Sequence, residues 1–356
     1  MKRITALDGW RGIAILLVLV DHVQDSLFHG YPWQWTRTGQ HGVTIFFVLS
    51  GFLITSRLLH GPIHLRDFYI RRFFRLMPAA WTFLAVIFVL GLAFHPPLVS
   101  WAEIRACLLF YRNFITPAGP MLSLHFWSLS LEEQFYLVWP FVLLLAGRRS
   151  APWIAGGGAI ACAIYRWRFW AYYDHNLANN QSQVRADALL VGCLLALLLE
   201  EPRFRAIALR LSRFLILPAA VVLLYCMVSF QWLPPLTECV AIACLIGATV
   251  LQPQSMLARS FSVRPLVFLG AISYSIYLWQ GLFMAFRNVY ALLFGLPMAV
   301  LASYYWIELP CTRFGHRVTG AHNAGREDVP GAGDPARLAR KPAGVNDLAD
   351  RGARSS

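Results

Sequence analysis

The chain is a succession of apolar blocks, roughly 14–21 residues each, joined by short connections rich in arginine. About 20 apolar residues are needed for a helix to cross the ~30 Å hydrocarbon core of a bilayer. Ten blocks meet or approach that length. They are Gly12–Phe28, Val43–Leu59, Met77–Phe94, Trp127–Ala146, Trp153–Trp170, Ala186–Leu199, Phe214–Trp232, Pro235–Leu251, Leu266–Phe286 and Val289–Ile307. Charged residues are 14% of the chain, where about 25% covers an ordinary soluble domain. The expected fold class is therefore all-α, a polytopic membrane helical bundle of about ten transmembrane helices with both termini cytoplasmic.

A net charge of +13 would suggest nucleic acid in a soluble protein. Here the arginines sit between apolar blocks and not on one face, so they read as positive-inside anchors and no nucleic acid is implied. Ile104–Phe114 is too short to span, since eleven helical residues reach only about 17 Å. Letting it cross would also move Arg148 and the later arginine-rich connections outside, so it is expected to be re-entrant or interfacial on the outer face. Asp21, His22 and Asp25 break the first block and no small-residue cleavage site follows, so that segment is expected to stay as a helix. The seven cysteines include no CxxC pair and read as small core residues. From about Thr319 to Ser356 large apolar residues almost vanish. The expected division is a transmembrane domain over 1–318 and a disordered cytoplasmic tail over 319–356.

Charges within apolar helices mark function by default. The first block carries LVDHVQDSL, where His22 and Asp25 are three apart, so Asp25 could orient the imidazole or hold its proton. Arg11 lies eleven residues before His22, about three turns lower on the same stripe. Between the second and third blocks, RRFFR places Arg72 and Arg75 at helical spacing with Arg71 beside them. Guanidinium forks so spaced suit a diphosphate, though they also serve as ordinary anchors. In WSLSLEEQFYLVWP, Glu132 and Glu133 are expected at the outer entrance of an apolar helix, with Ser128, Glu132 and Tyr136 on one stripe. Such a carboxylate could receive a sugar hydroxyl, pair with an arginine, or stabilise the helix terminus. Asp187 and Glu308 read as partners for neighbouring charges.

Six segments then occur in a telling order: LDGWRGIAILLVLVDH, GVTIFFVLSGFLIT, RRFFRLMPA, HFWSLSLEEQFYLVWP, ISYSIYLWQ and YYWIELP. Over roughly residues 5–315 the chain resembles the membrane acyltransferase-3 family, which includes bacterial polysaccharide O-acetylases and antibiotic acyltransferases. That family's Arg-x10-His motif falls on Arg11 and His22, its Arg-x-x-Arg motif on Arg72 and Arg75, and its acidic WSLxxE element on Glu132. The resemblance implies a bacterial inner-membrane bundle moving an acyl group, commonly acetyl, from acyl-CoA (acetyl-CoA) to a hydroxyl. The acceptor would be a carbohydrate, a lipid-linked glycan or a secondary metabolite, with membrane lipids around the bundle and no metal. It implies catalytic His22, and Arg11, Arg72 and Arg75 contacting coenzyme A; with Asp25 from its spacing and Glu132 from the acidic element, the expected catalytic set is His22, Asp25 and Glu132. Many members have histidine where this chain has Gln280, so an auxiliary histidine role does not carry over.

Physical reasoning runs the same way. Acyl-CoA is cytosolic and polyanionic, so its phosphates belong at an inner arginine cluster. Lipid-linked glycans are finished outside, and a histidine beyond mid-membrane joins the two compartments as general base or as covalent acyl relay. The reading from another class is a proton-coupled transporter with Asp21, His22 and Asp25 as relay; no inverted repeat or broken-helix pair supports it. Reporter fusions after Arg149, Arg203 and Arg264 should score cytoplasmic; an external score at Arg203 would refute the ten-span arrangement.

Overall fold

The computed structural model describes residues 4–27, 38–60, 64–93, 99–115, 121–170, 181–228 and 235–327. Among them the regular structure is helical, with no strand. In chain order the helices are α1 (Thr5–Leu27), α2 (Thr38–Leu59), α3 (Leu65–Leu92), α4 (Trp101–Leu108), α5 (Phe126–Trp170) and α6 (Ser182–Glu200). There follow α7 (Pro202–Val228), α8 (Pro235–Leu251), the short α9 (Met256–Phe261), α10 (Arg264–Ala285), α11 (Leu296–Ala302) and α12 (Leu309–Glu327). The π-helical turns Ala291–Gly295 and Ser303–Glu308 flank α11.

Seven stretches among the described residues are long and apolar enough to cross a membrane. One of them contains both limbs of α5, a 45-residue helix that bends at Gly147, where φ is 69°. Glycine alone adopts that conformation without a Cβ penalty, so the chain turns there and the helix divides into two limbs. The expected count of ten would further need α1, with 23 residues, and the shorter apolar α8, with 17. The protein is thus a polytopic helical membrane protein.

Boundaries differ where charge hides helix. Helix α3 starts at Leu65, well before the apolar block at Met77, because nothing in RDFYIRRFFR breaks a helix. Helix α12 continues to Glu327, past the expected boundary at 318. The rest of the expected tail, 328–356, lies outside the described residues.

Two helix pairs form the centre, and both depend on absent side chains. A Cβ on Gly51 of α2 would overlap the Leu189 carbonyl of α6, and one on Gly192 would overlap the Val48 carbonyl. Gly12 and Gly270 likewise bring α1 and α10 to backbone contact, at Leu266 and Asp8 respectively. Small residues allow this approach, and in lipid it is packing that drives helices together. Around the pairs Ile15, Phe47, Val48, Leu49, Phe83 and Leu189 are fully buried.

The segment expected to be re-entrant does not span. It forms α4, opened by a capping box between Ser100 and Glu103, and a 3-10 turn over Arg112–Phe114. Glu103 also accepts a hydrogen bond from Arg112 Nη2 at 3.1 Å. Arg112 donates further to Ser123 Oγ (3.1 Å) and the Ile115 carbonyl (2.8 Å), and its backbone N–H reaches Ser130 Oγ (3.3 Å). This buried ion pair fastens the segment over the start of α5, so that the first turns of α5 begin inside protein.

Gly192→Leu should therefore lower the melting temperature in detergent, with a destabilisation of about 1–3 kcal/mol or more. Gly157→Leu, where a Cβ meets nothing within 4 Å, should leave it unchanged or raised. Equal effects at the two positions would contradict backbone-contact packing of α2 and α6.

Candidate active site

A cavity enclosing about 700 Å³, counting its open mouth, lies among α1, α2, α3, α5 and α10. Arg11, Arg72, Arg75 and Glu132, picked out separately along the sequence, all line it. Each comes from the polar stripe of an otherwise apolar helix. Ser128, Glu132 and Tyr136 follow one another down one stripe of α5, and Ser273, Tyr274 and Tyr277 line it from α10.

Arg72 is held tightly. Its Nη2 donates to Glu133 Oε1 at 2.8 Å and its Nε to the same oxygen at 3.1 Å. Its guanidinium carbon stands 3.1 Å from the centre of the Tyr136 ring. A planar fork lying on an aromatic face and bound to a carboxylate is a role lysine cannot fill. The neighbouring Glu132 is hydrogen-bonded to Ser50 of α2 and lies within charge range of Arg72 and Arg11. Arg11 has Asp8 at 4.0 Å. Arg75 is exposed and makes no hydrogen bond or ion pair among the described residues. Beyond it Arg57 of α2, Arg71 and His316 of α12 gather within mutual charge range, with Gly315 packed on Phe74 to bring α12 in. The rim is therefore cationic and the interior mixed.

Sequence reasoning placed Glu132 at an outer entrance; the structure places it in the cavity with the arginines. The buried segment capping α5 is the reason. Phe126, Ser128 and Ser130 are themselves enclosed, so Glu132 two turns on is deep in the bundle. His22 does not line this cavity. It lies three turns along α1 from Arg11, half-buried, with Ile15 and Val18 on the stripe between them. Asp25 is exposed and makes no hydrogen bond to His22 among the described residues. Three positions past His22 it has rotated off the packed face, whereas Ser26, four past, donates to the Met284 carbonyl of α10 at 2.8 Å. Asp21 is the acid in charge range of both His22 and His41.

Several functional candidates escaped the sequence reading. Glu133, treated as a neighbour of Glu132, is the residue that fixes Arg72. Tyr277 OH and Ser128 Oγ are 2.6 Å apart and each lies 3.2 Å from the His125 carbonyl, forming a polar roof to the cavity. His125 itself is buried and within charge range of His22. The signal for these was a pattern of hydroxyls and one histidine at helical spacing, which packing residues display as often.

Residues 4–310 match the profile of the acyltransferase domain that defines the acyltransferase-3 family. The chain belongs to that family. It is 29% identical over 315 residues to "Peptidoglycan O-acetyltransferase OatA" of Listeria monocytogenes, covering 78% of this chain and 49% of that protein. It is 30% identical over 316 residues to "Putative peptidoglycan O-acetyltransferase YrhL" of Bacillus subtilis, covering 78% and 48%. It is also similar, at 28% over 344 residues, to "Putative O-acetyltransferase SACOL0978" of Staphylococcus aureus, covering 88% and 55%. The chain thus spans about half the length of the curated relatives it matches. No solved structure matches it significantly.

The two arginines of the α3 motif should separate on substitution. Arg72→Ala removes two charge-assisted hydrogen bonds and leaves Glu133 unpaired, so it should destabilise the protein by about 2–3 kcal/mol. Arg75→Ala, at an exposed position, should leave the melting temperature within a degree or two of wild type. Equal melting of both variants would contradict the clamp.

Proposed function

We propose that the protein is an O-acyltransferase of the bacterial cytoplasmic membrane, moving an acetyl group from cytosolic acetyl-CoA to a hydroxyl of a carbohydrate acceptor at the outer face. The carrying observation is the convergence of Arg11, Arg72, Arg75 and Glu132 on one cavity directly below the stripe that leads to His22, in a chain of the acyltransferase-3 family. Three relatives named as O-acetyltransferases, two of them for peptidoglycan, support acetyl as the group and a glycan as the acceptor.

In this reading the donor's phosphates rest on the cationic rim, on Arg75 with Arg57 and Arg71, where a guanidinium is accessible. Arg72 shapes the cavity wall through Glu133 and Tyr136, and Arg11 and Glu132 border the path of the pantetheine arm. The thioester reaches upward past Tyr277 towards His22, which removes the proton of the attacking hydroxyl. A general base of this kind contributes about 10²–10⁴-fold. Asp21, adjacent in α1, lies within charge range of His22. Asp25, exposed at the helix end, is assigned to the acceptor side.

The test is donor binding against turnover. Coenzyme A should raise the melting temperature of wild type and of His22→Ala alike, since a ligand that binds only the folded state stabilises it. Arg75→Ala should lose that stabilisation severalfold or more. His22→Ala should transfer no acetyl group. Labelled acetyl-CoA supplied without acceptor should leave no label on the His22 peptide, whereas retained label would identify a covalent relay. Unimpaired transfer by His22→Ala would refute the assignment of His22 altogether.

A further inference from the structure

Gln280 is wholly buried in α10, at 0% exposure, yet neither its amide nitrogen nor its amide oxygen has a hydrogen-bond partner among the described residues. Buried polar groups are nearly always paired, so each exception calls for an explanation. A glutamine with both ends unpaired is a donor and an acceptor held ready together.

Its surroundings indicate what it faces. Helices α1 and α10 run in the same direction and meet at their far ends where Ser26 donates to the Met284 carbonyl. One turn back from that contact stand His22 on α1 and Gln280 on α10, each four residues earlier and so at a matching height along two parallel helices. Gln280 also continues the stripe of α10 that begins with Gly270 against α1 and passes through Ser273 and Tyr277, both lining the cavity. The next residue, Gly281, is so close to His125 that a Cβ there would lie 2.9 Å from Nδ1. His125 is 6% exposed, and its Nε2 is likewise without a partner, while the ring's other nitrogen is engaged by the Leu278 backbone. His125 is also within charge range of His22, and Gln280 stands one turn of α10 beyond Tyr277 and its Ser128 hydrogen bond.

We propose that the Gln280 amide N–H is the donor that stabilises the acyl carbonyl oxygen while transfer takes place beside His22. This rests on the acyltransferase reading and assigns it a further group that touches the reacting atoms. The acceptor oxygen bonds to the acyl carbon as His22 takes the hydroxyl proton. The carbonyl π electrons move onto oxygen, which accepts a hydrogen bond from Gln280 Nε2. Collapse restores the carbonyl and breaks the carbon–sulfur bond, and the departing thiolate recovers the proton from His22. The products are the ester and free coenzyme A. An amide fixed in a dry site suits this task, because its dipole is already oriented when charge develops.

Gln280→Met keeps the length of the side chain and removes both polar ends. An oxyanion donor predicts a combination that packing does not: kcat falls about 100-fold or more, the donor KM stays within threefold, and the melting temperature is equal to or above wild type. The last follows because two unpaired buried polar atoms have been removed. Gln280→Leu repeats the measurement if the methionine variant does not fold. A kcat within threefold of wild type overturns the proposal. So does a loss of kcat that comes with a lower melting temperature, which marks a packing role. Wild-type protein that neither transfers acetyl nor is stabilised by coenzyme A refutes the underlying acyltransferase reading instead, and this proposal with it.

Discussion

A guanidinium or carboxylate within an apolar helical bundle must be paired, wetted or absent, and much of this protein's architecture follows from that constraint. Arg72 is fixed by Glu133 and Tyr136, and Arg112 by Glu103. Arg166 reaches Asp187 at 2.6 Å across α5 and α6, and His41 reaches Glu238 at 2.9 Å across α2 and α8. All but the Arg112–Glu103 pair join separate long helices, so those charges act as registration points for helices that hydrophobic contact alone would let slide. The desolvation cost of such pairs is large and offsets much of their mutual attraction. Removing one partner is the destabilising event, which makes the pairs hard to vary singly.

Close helix approach supplies the second half of the design. Because Gly51 and Gly192 bring α2 onto α6, and Gly12 and Gly270 bring α1 onto α10, the central helices meet backbone to backbone. The cavity lies beside these contacts, with a wall from α1, α2 and α10 that has little room to shift. Rigid walls suit chemistry that depends on positioned dipoles. The more adaptable surface is the cationic rim of Arg57, Arg71, Arg75 and His316, in which Arg57, Arg75 and His316 are exposed.

The polar stripes were legible one helix at a time, and this accounts for both the successes and the errors. Arg11, Arg72, Arg75 and Glu132 were distinguished by charge in apolar surroundings, and the fold brings all four to one cavity. Glu132 lines the cavity beside the arginines, and nothing in WSLSLEEQF reveals that α4 and Arg112 cover the start of α5. Asp25 was paired with His22 by three-residue spacing, which is compatible with contact but does not require it. Once α1 packs on α10, Ser26 takes the inward face and Asp25 turns out. Glu133 was passed over because adjacent carboxylates on one helix point to different sides, and only the position of α3 decides which one meets an arginine.

The sequence by itself determined the class of fold, since apolar segments of membrane-spanning length with internally satisfied backbones have few alternatives to a helical bundle. It also determined which helices carry charge and the spacing of those charges along each axis. Tertiary structure alone decided which stripes face one another, that Tyr277 and Ser128 hydrogen-bond at the cavity, and that Gln280 is buried with both amide ends unpaired among the described residues. The physical reason is that helical periodicity fixes a side chain's angle about its own axis and its height along it. The rotation and offset of one helix against its neighbour come from glycine contacts and ion pairs between residues up to hundreds of positions apart, and no local pattern encodes those.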